Sequence, residues 1–85
     1  MSLTVAAETS SPKAIRLHRD DDVLIARGQL FPGTRLAAED LVVTGMIPPG
    51  HKVAVRAIAA GQAVRRYGQI IGFASREIGR GEHVH

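Results

Sequence analysis

The sequence has 85 residues, room for one domain and too little for two. Apolar residues make up 45%, yet only Phe31, Tyr67 and Phe73 are aromatic, so a thin core must rest on Val, Ile and Leu. The absence of cysteine excludes disulfides and thiolate metal sites, and no apolar run approaches the roughly 18 residues of a membrane span.

The net charge of +3 is unevenly placed. Residues 1–42 carry five bases and six acids, whereas residues 43–85 carry six bases and two acids. The basic half suits a carboxylate, a phosphate, an acidic partner or nucleic acid. Residues 1–12 are small and polar, lack the basic and apolar regions of a signal peptide, and are expected to form a disordered leader. A cytoplasmic location is the default expectation, with no membrane partner.

Residues 14–18 alternate, with Ile15 and Leu17 on one side, and predict a half-buried strand. Asp20-Asp21-Asp22 follows as a solvated polar turn, since it lacks the glycine and distal glutamate of a calcium loop. Residues 23–27 predict a second strand, residues 36–41 a single helical turn and residues 41–44 another strand. Residues 51–57 alternate, with Val53, Val55 and Ala57 on one face and Lys52, Ala54 and Arg56 on the other. Residues 69–75 form a further strand containing Gly72, and residues 82–85 begin a last one.

One pattern recurs four times: an apolar residue, a glycine three positions later, and an apolar residue three beyond that. The copies are Leu30, Gly33 and Leu36; Ile47, Gly50 and Val53; Ile58, Gly61 and Val64; and Ile78, Gly81 and Val84. Glycine accepts positive φ at little cost, so each copy predicts a tight corner bracketed by two inward side chains. Steps of 17, 11 and 20 residues between the glycines are not a solenoid period. Short strands, frequent turns and no long amphipathic helix define an all-β domain of folded hairpins over residues 13–85. Its thin core calls for oligomerisation or a neighbouring domain.

Four histidines are candidates for chemistry: His18, His51, His83 and His85. His83 and His85 are two apart and share a strand face, a spacing able to give two ligands to a divalent metal while Glu82 faces away. His51 and Lys52 follow a Pro-Pro-Gly turn and are candidates for carboxylate binding or proton transfer. Neither a nucleophile elbow nor a phosphate-cradling glycine loop occurs. Tyr67 beside Arg65 and Arg66 is too little for a nucleic-acid surface, and none is expected.

Pro49-Gly50-His51-Lys52-Val53-Ala54-Val55-Arg56, Tyr67-Gly68-Gln69-Ile70-Ile71-Gly72 and Gly81-Glu82-His83-Val84-His85 together resemble the N-terminal SAF domain of the altronate and galactarate dehydratase family. Val23 to Ala26, Phe31-Pro32-Gly33-Thr34 and Ala38-Glu39-Asp40-Leu41 resemble the general SAF pattern. The resemblance implies a β-clip fold and a part in enzymes that dehydrate sugar acids to 2-keto-3-deoxy acids. It implies a divalent metal, often iron(II), held mainly by a larger C-terminal catalytic domain or subunit. His51 and Lys52 would face the substrate, and His83 and His85 the metal or active site. Two departures stand out. The family pattern continues past the second histidine with Thr-His-Asn where this sequence stops, which leads to the expectation of an isolated domain or a piece of a longer protein. The family often has Lys where this chain has Arg66. A separately encoded small subunit of a split dehydratase or sulfolactate sulfo-lyase is the second reading, and a non-catalytic carbohydrate-binding module the third.

Overall fold

The structure, a computed structural model, describes residues 12–85, so the expected leader lies almost wholly outside the described residues. Eight short strands and one 3-10 turn make an all-β fold. The strands are β1 (Ala14–Ile15), β2 (Val23–Ala26), β3 (Arg35–Leu36), β4 (Leu41–Val42), β5 (Lys52–Ala54), β6 (Ala63–Arg66), β7 (Gln69–Phe73) and β8 (His83–Val84). The 3-10 turn, Ala37–Glu39, occupies the expected helical segment. Strands β1, β2, β5 and β8 form one antiparallel sheet in that order, while β3–β4 and β6–β7 are separate hairpins.

All four glycine corners form. Gly33, Gly50, Gly61 and Gly81 have φ of 89°, 79°, 85° and 87°. Each corner is closed by a hydrogen bond from the residue after the glycine to the residue two before it, as in Thr34 N–H to Phe31 O and Glu82 N–H to Gly79 O. Pro32 and Pro49 preset φ at the position ahead of the glycine, as a type II turn favours. The eight bracketing apolar residues are all buried.

The corners are not four equal copies but a duplicated pair. Leu30 bridges Ile47, and Ile58 bridges Ile78. The Gly33 N–H donates to Val43 O and the Gly61 N–H to Ala74 O; likewise Gly50 donates to Ala26 O and Gly81 to Ala54 O. Corners one and three are thus equivalent, as are two and four. Unequal steps between neighbouring corners had hidden this. Strand β5 closes the first unit and opens the second. Its pairing with β2 (Leu24 with Val53, Ile25 with Lys52) is repeated by β8 upon β5 (Lys52 with Val84, Val53 with His83).

Cross-strand partners share a sheet face. Leu24 and Val53 face a first core with Leu30, Leu36, Leu41, Val43 and Ile47. Val23 and Ala54 face a second core with Ile58, Val64, Ala74, Ile78 and Val84. The expected polar face of residues 51–57 is therefore corrected: Ala54 is as fully buried as Val53, because the sheet has a core on each side.

Three other expectations are revised. Only Ala14 and Ile15 of residues 14–18 are strand, and Ile15 and Leu17 are both exposed, because Ala14 is the residue that packs on the first core. Strand β6 had not been expected. It pairs with β7 through the two-residue turn Tyr67-Gly68, whose φ values of 58° and 75° are those of a primed hairpin turn. Finally, the aspartate turn is not solvated: Asp21 and Asp22 are 2% and 5% exposed. Asp21 accepts the backbone N–H groups of Tyr67 and Gly68, each at 2.7 Å, and Asp22 accepts that of Arg65 at 2.7 Å. The pair fastens the β6–β7 hairpin to the start of β2.

Candidate functional site

The pairing of β5 with β8 brings together residues more than thirty positions apart. His51 leaves the second corner just before β5, and His83 leaves the fourth corner as β8 begins. His51 Nδ1 and His83 Nε2 lie 2.9 Å apart, so one ring donates a proton to the other. The rings of His83 and His85 meet edge to face with centroids 4.3 Å apart. Three of the four candidate residues thus form one continuous group at the outer edge of the sheet. His18 lies elsewhere, its ring against Gly68 and its Nδ1 accepting the Asp20 N–H.

Lys52 does not join the group directly. It pairs with Val84, and strand alternation sends it to the opposite face from His83. Its charge is still felt. Partial burial holds the His83 imidazole below the ordinary histidine pKa, and the neighbouring His85, His51 and Lys52 add to that effect. The Glu82 side chain accepts the Gly79 N–H and pairs with Arg76, and His85 is near enough for its charge to act on the carboxylate. The Arg76 hydrogen bond, with that of Gly79, keeps its carboxyl below the usual range.

Beside the histidines runs an open groove of about 140 Å³. Ile71 and Phe73 of β7 form one wall, and Ser75, Arg76, His83 and His85 supply polar groups. Imidazole nitrogens suit a divalent transition metal. However, among the described residues no three His, Cys, Asp or Glu side chains are grouped to hold one. Nor, among them, is any helix long and apolar enough to cross a membrane.

The all-β fold of short hairpins is consistent with the β-clip that the SAF resemblance implied. Residues 12–85 match the family described as the altronate/galactarate dehydratase SAF domain, and the chain belongs to it. Among curated relatives, altronate dehydratase of Bacillus subtilis (strain 168) is 38% identical over 73 residues, covering 84% of this chain and 15% of that protein. Altronate dehydratase of Escherichia coli (strain K12) is 38% identical over the same length. The L-threo-forming galactarate dehydratase of Escherichia coli (strain K12) is 36% identical over 85 residues, 98% of this chain and 16% of its own. The chain therefore spans about 15% of the length of these relatives.

Proposed function

We propose that this chain is the SAF part of a hydro-lyase acting on a sugar acid of the altronate or galactarate type. Its histidine edge forms one wall of an active site completed by a larger catalytic region. The observation that carries the reading is the contact of His51, His83 and His85 beside an open groove. Belonging to a dehydratase family supports the reaction class. The divalent metal expected for such an enzyme, iron(II) by resemblance, lies with the larger region in this reading.

The reaction requires a base to take the proton α to the substrate carboxylate. The β-hydroxyl leaves as water after gaining a proton, and the resulting enol tautomerises to the 2-keto-3-deoxy acid. The His51–His83 pair suits a proton-transfer role: burial and its neighbours keep His83 neutral near pH 7, and His51 links it to the exposed surface. Lys52 and the arginines of residues 43–85 favour an anionic substrate through their field.

The test uses the chain assembled with its catalytic region. His51→Ala and His83→Ala are each expected to lower kcat/KM on the order of 10²–10⁴-fold, the usual range for losing a general acid or base. Lys52→Ala is expected to act mainly on KM. Activity within about twofold of wild type for both histidine variants, against that expected range, removes the histidine edge from the active site. Binding of neutral sugars, with no dehydration of any sugar acid, favours the carbohydrate-binding reading instead.

A further inference from the structure

The second unit carries a feature that the first lacks. In the first unit the hairpin β3–β4 is two residues deep on each side. Its counterpart β6–β7 is longer, with β7 five residues, and it exposes Tyr67, Ile70, Ile71 and Phe73 by 70%, 48%, 48% and 68%. A two-stranded hairpin is marginal in water by itself, and this one also leaves large apolar side chains uncovered.

We infer that the β6–β7 hairpin is the arm by which this chain docks on the catalytic region of the dehydratase, against an apolar surface rimmed by carboxylates. The identity of that partner rests on the proposed function; the docking surface rests on four observations. First, the four side chains leave on the order of 400–500 Å² to be covered, given the 150–250 Å² that a whole aromatic residue buries. Together with the adjoining groove this approaches the roughly 800 Å² per partner of a stable interface. Second, Arg65 and Arg66 flank the apolar residues and are exposed, and their guanidinium groups meet no carboxylate among the described residues. A symmetric pair of copies would set this basic patch against itself, which disfavours a second copy and favours an acidic rim. Third, Ile71 is an extra residue in β7, between the Val64–Gly72 and Arg65–Ile70 pairs. Such a bulge twists an edge away from strand addition, so the contact is made by side-chain faces. Fourth, Ile71 and Phe73 also wall the histidine groove, so whatever covers the arm also closes the site.

The experiment is hydrogen–deuterium exchange on the assembly purified from its source, compared with the 85-residue chain alone. Amides of Gln69–Phe73 are expected to slow about tenfold or more in the assembly, as amides do when local opening is suppressed. Those around Leu30 and Ile47 should be unchanged. Phe73→Glu should abolish the protection. The pair Arg65→Glu and Arg66→Glu should weaken it, as should added salt. Dehydration with no protection of β7 overturns the inference while leaving the proposed function standing. Protection of β7 in an assembly that dehydrates no sugar acid sustains the docking surface and overturns the proposed function. Protection that grows with concentration in the chain alone assigns the arm to a second copy and overturns the inference, as does recovery from the source as a free monomer.

Discussion

The substitution Asp22→Asn tests how the two units are fastened together. The Asp22 carboxylate accepts the Arg65 N–H through Oδ2 at 2.7 Å and Arg56 Nε through Oδ1 at 2.8 Å. It does so at 5% exposure, where water is a poor substitute. An asparagine keeps one acceptor oxygen and turns an NH₂ group toward the other donor. One buried donor is then left unpaired, at about 1–3 kcal/mol, and a charge-assisted bond becomes a neutral one. Together these give a loss of about 2–4 kcal/mol, a large share of the stability of so small a domain. A domain of 60–100 residues shifts by roughly 4–8 °C per kcal/mol, so Tm should fall by about 8–32 °C. Thermal and urea unfolding followed by circular dichroism read this directly. Asp20→Asn is the control, because that side chain is 67% exposed, and surface substitutions of this kind stay within about 0.5 kcal/mol. Arg56→Gln should cost less than Asp22→Asn, since Arg56 is half exposed and the backbone anchor survives. An Asp22→Asn loss no larger than the Asp20→Asn loss refutes the anchoring role.

Burial alone would raise the Asp21 pKa, but the N–H groups of Gly68 and Tyr67, aided by His18, hold it below the ordinary value. Because the folded value is the lower one, the contribution of Asp21 is present above its unfolded value of about 3.9 and is lost as pH falls through the folded value. The urea midpoints of wild type and Asp21→Asn should therefore differ at pH 7 and converge below about pH 4. Gly81→Ala should prevent folding, because its Cβ would run into the Val42 carbonyl oxygen at a φ of 87°. Gly33→Ala has open space, so only the left-handed backbone cost of about 1–2 kcal/mol is expected. Soluble yield and melting curves separate the two. In an NMR titration the His83 midpoint should lie below the ordinary histidine value, and His51→Gln should raise it.

Much of the fold was legible because glycine corners carry their own physics. Four positive-φ glycines with flanking apolar residues announce four turns and eight buried side chains, and all are present. The alternation of His83 and His85 likewise placed both on one face. Other features depend on tertiary partners that local pattern does not encode. Three consecutive aspartates read as solvated until the hairpin is in place, with Asp21 on its turn and Asp22 on the Arg65 N–H of β6. Strand β6 ends in Arg65 and Arg66 and lacks clean alternation, yet the pairing of Arg66 with Gln69 around Tyr67-Gly68 was a usable hairpin signal. The meeting of His51 with His83 follows from the register of β5 on β8, and no spacing in the sequence states that register. Lys52 opens β5 next to His51, and strand alternation sends its side chain to the face opposite His83.

Strand β5 serves both units at once. Val53 seals the first core and Ala54, the next residue, seals the second. Neither unit can lose this strand without opening the other, so the two cores should melt in one cooperative transition. Three residues act as a common keystone. A substitution there is judged by two environments together, which narrows what the position tolerates far more than burial in a single core would. The same strand offers its outer edge to β8, and that edge is where the histidines gather. Order at the site is therefore tied to the least divisible part of the molecule.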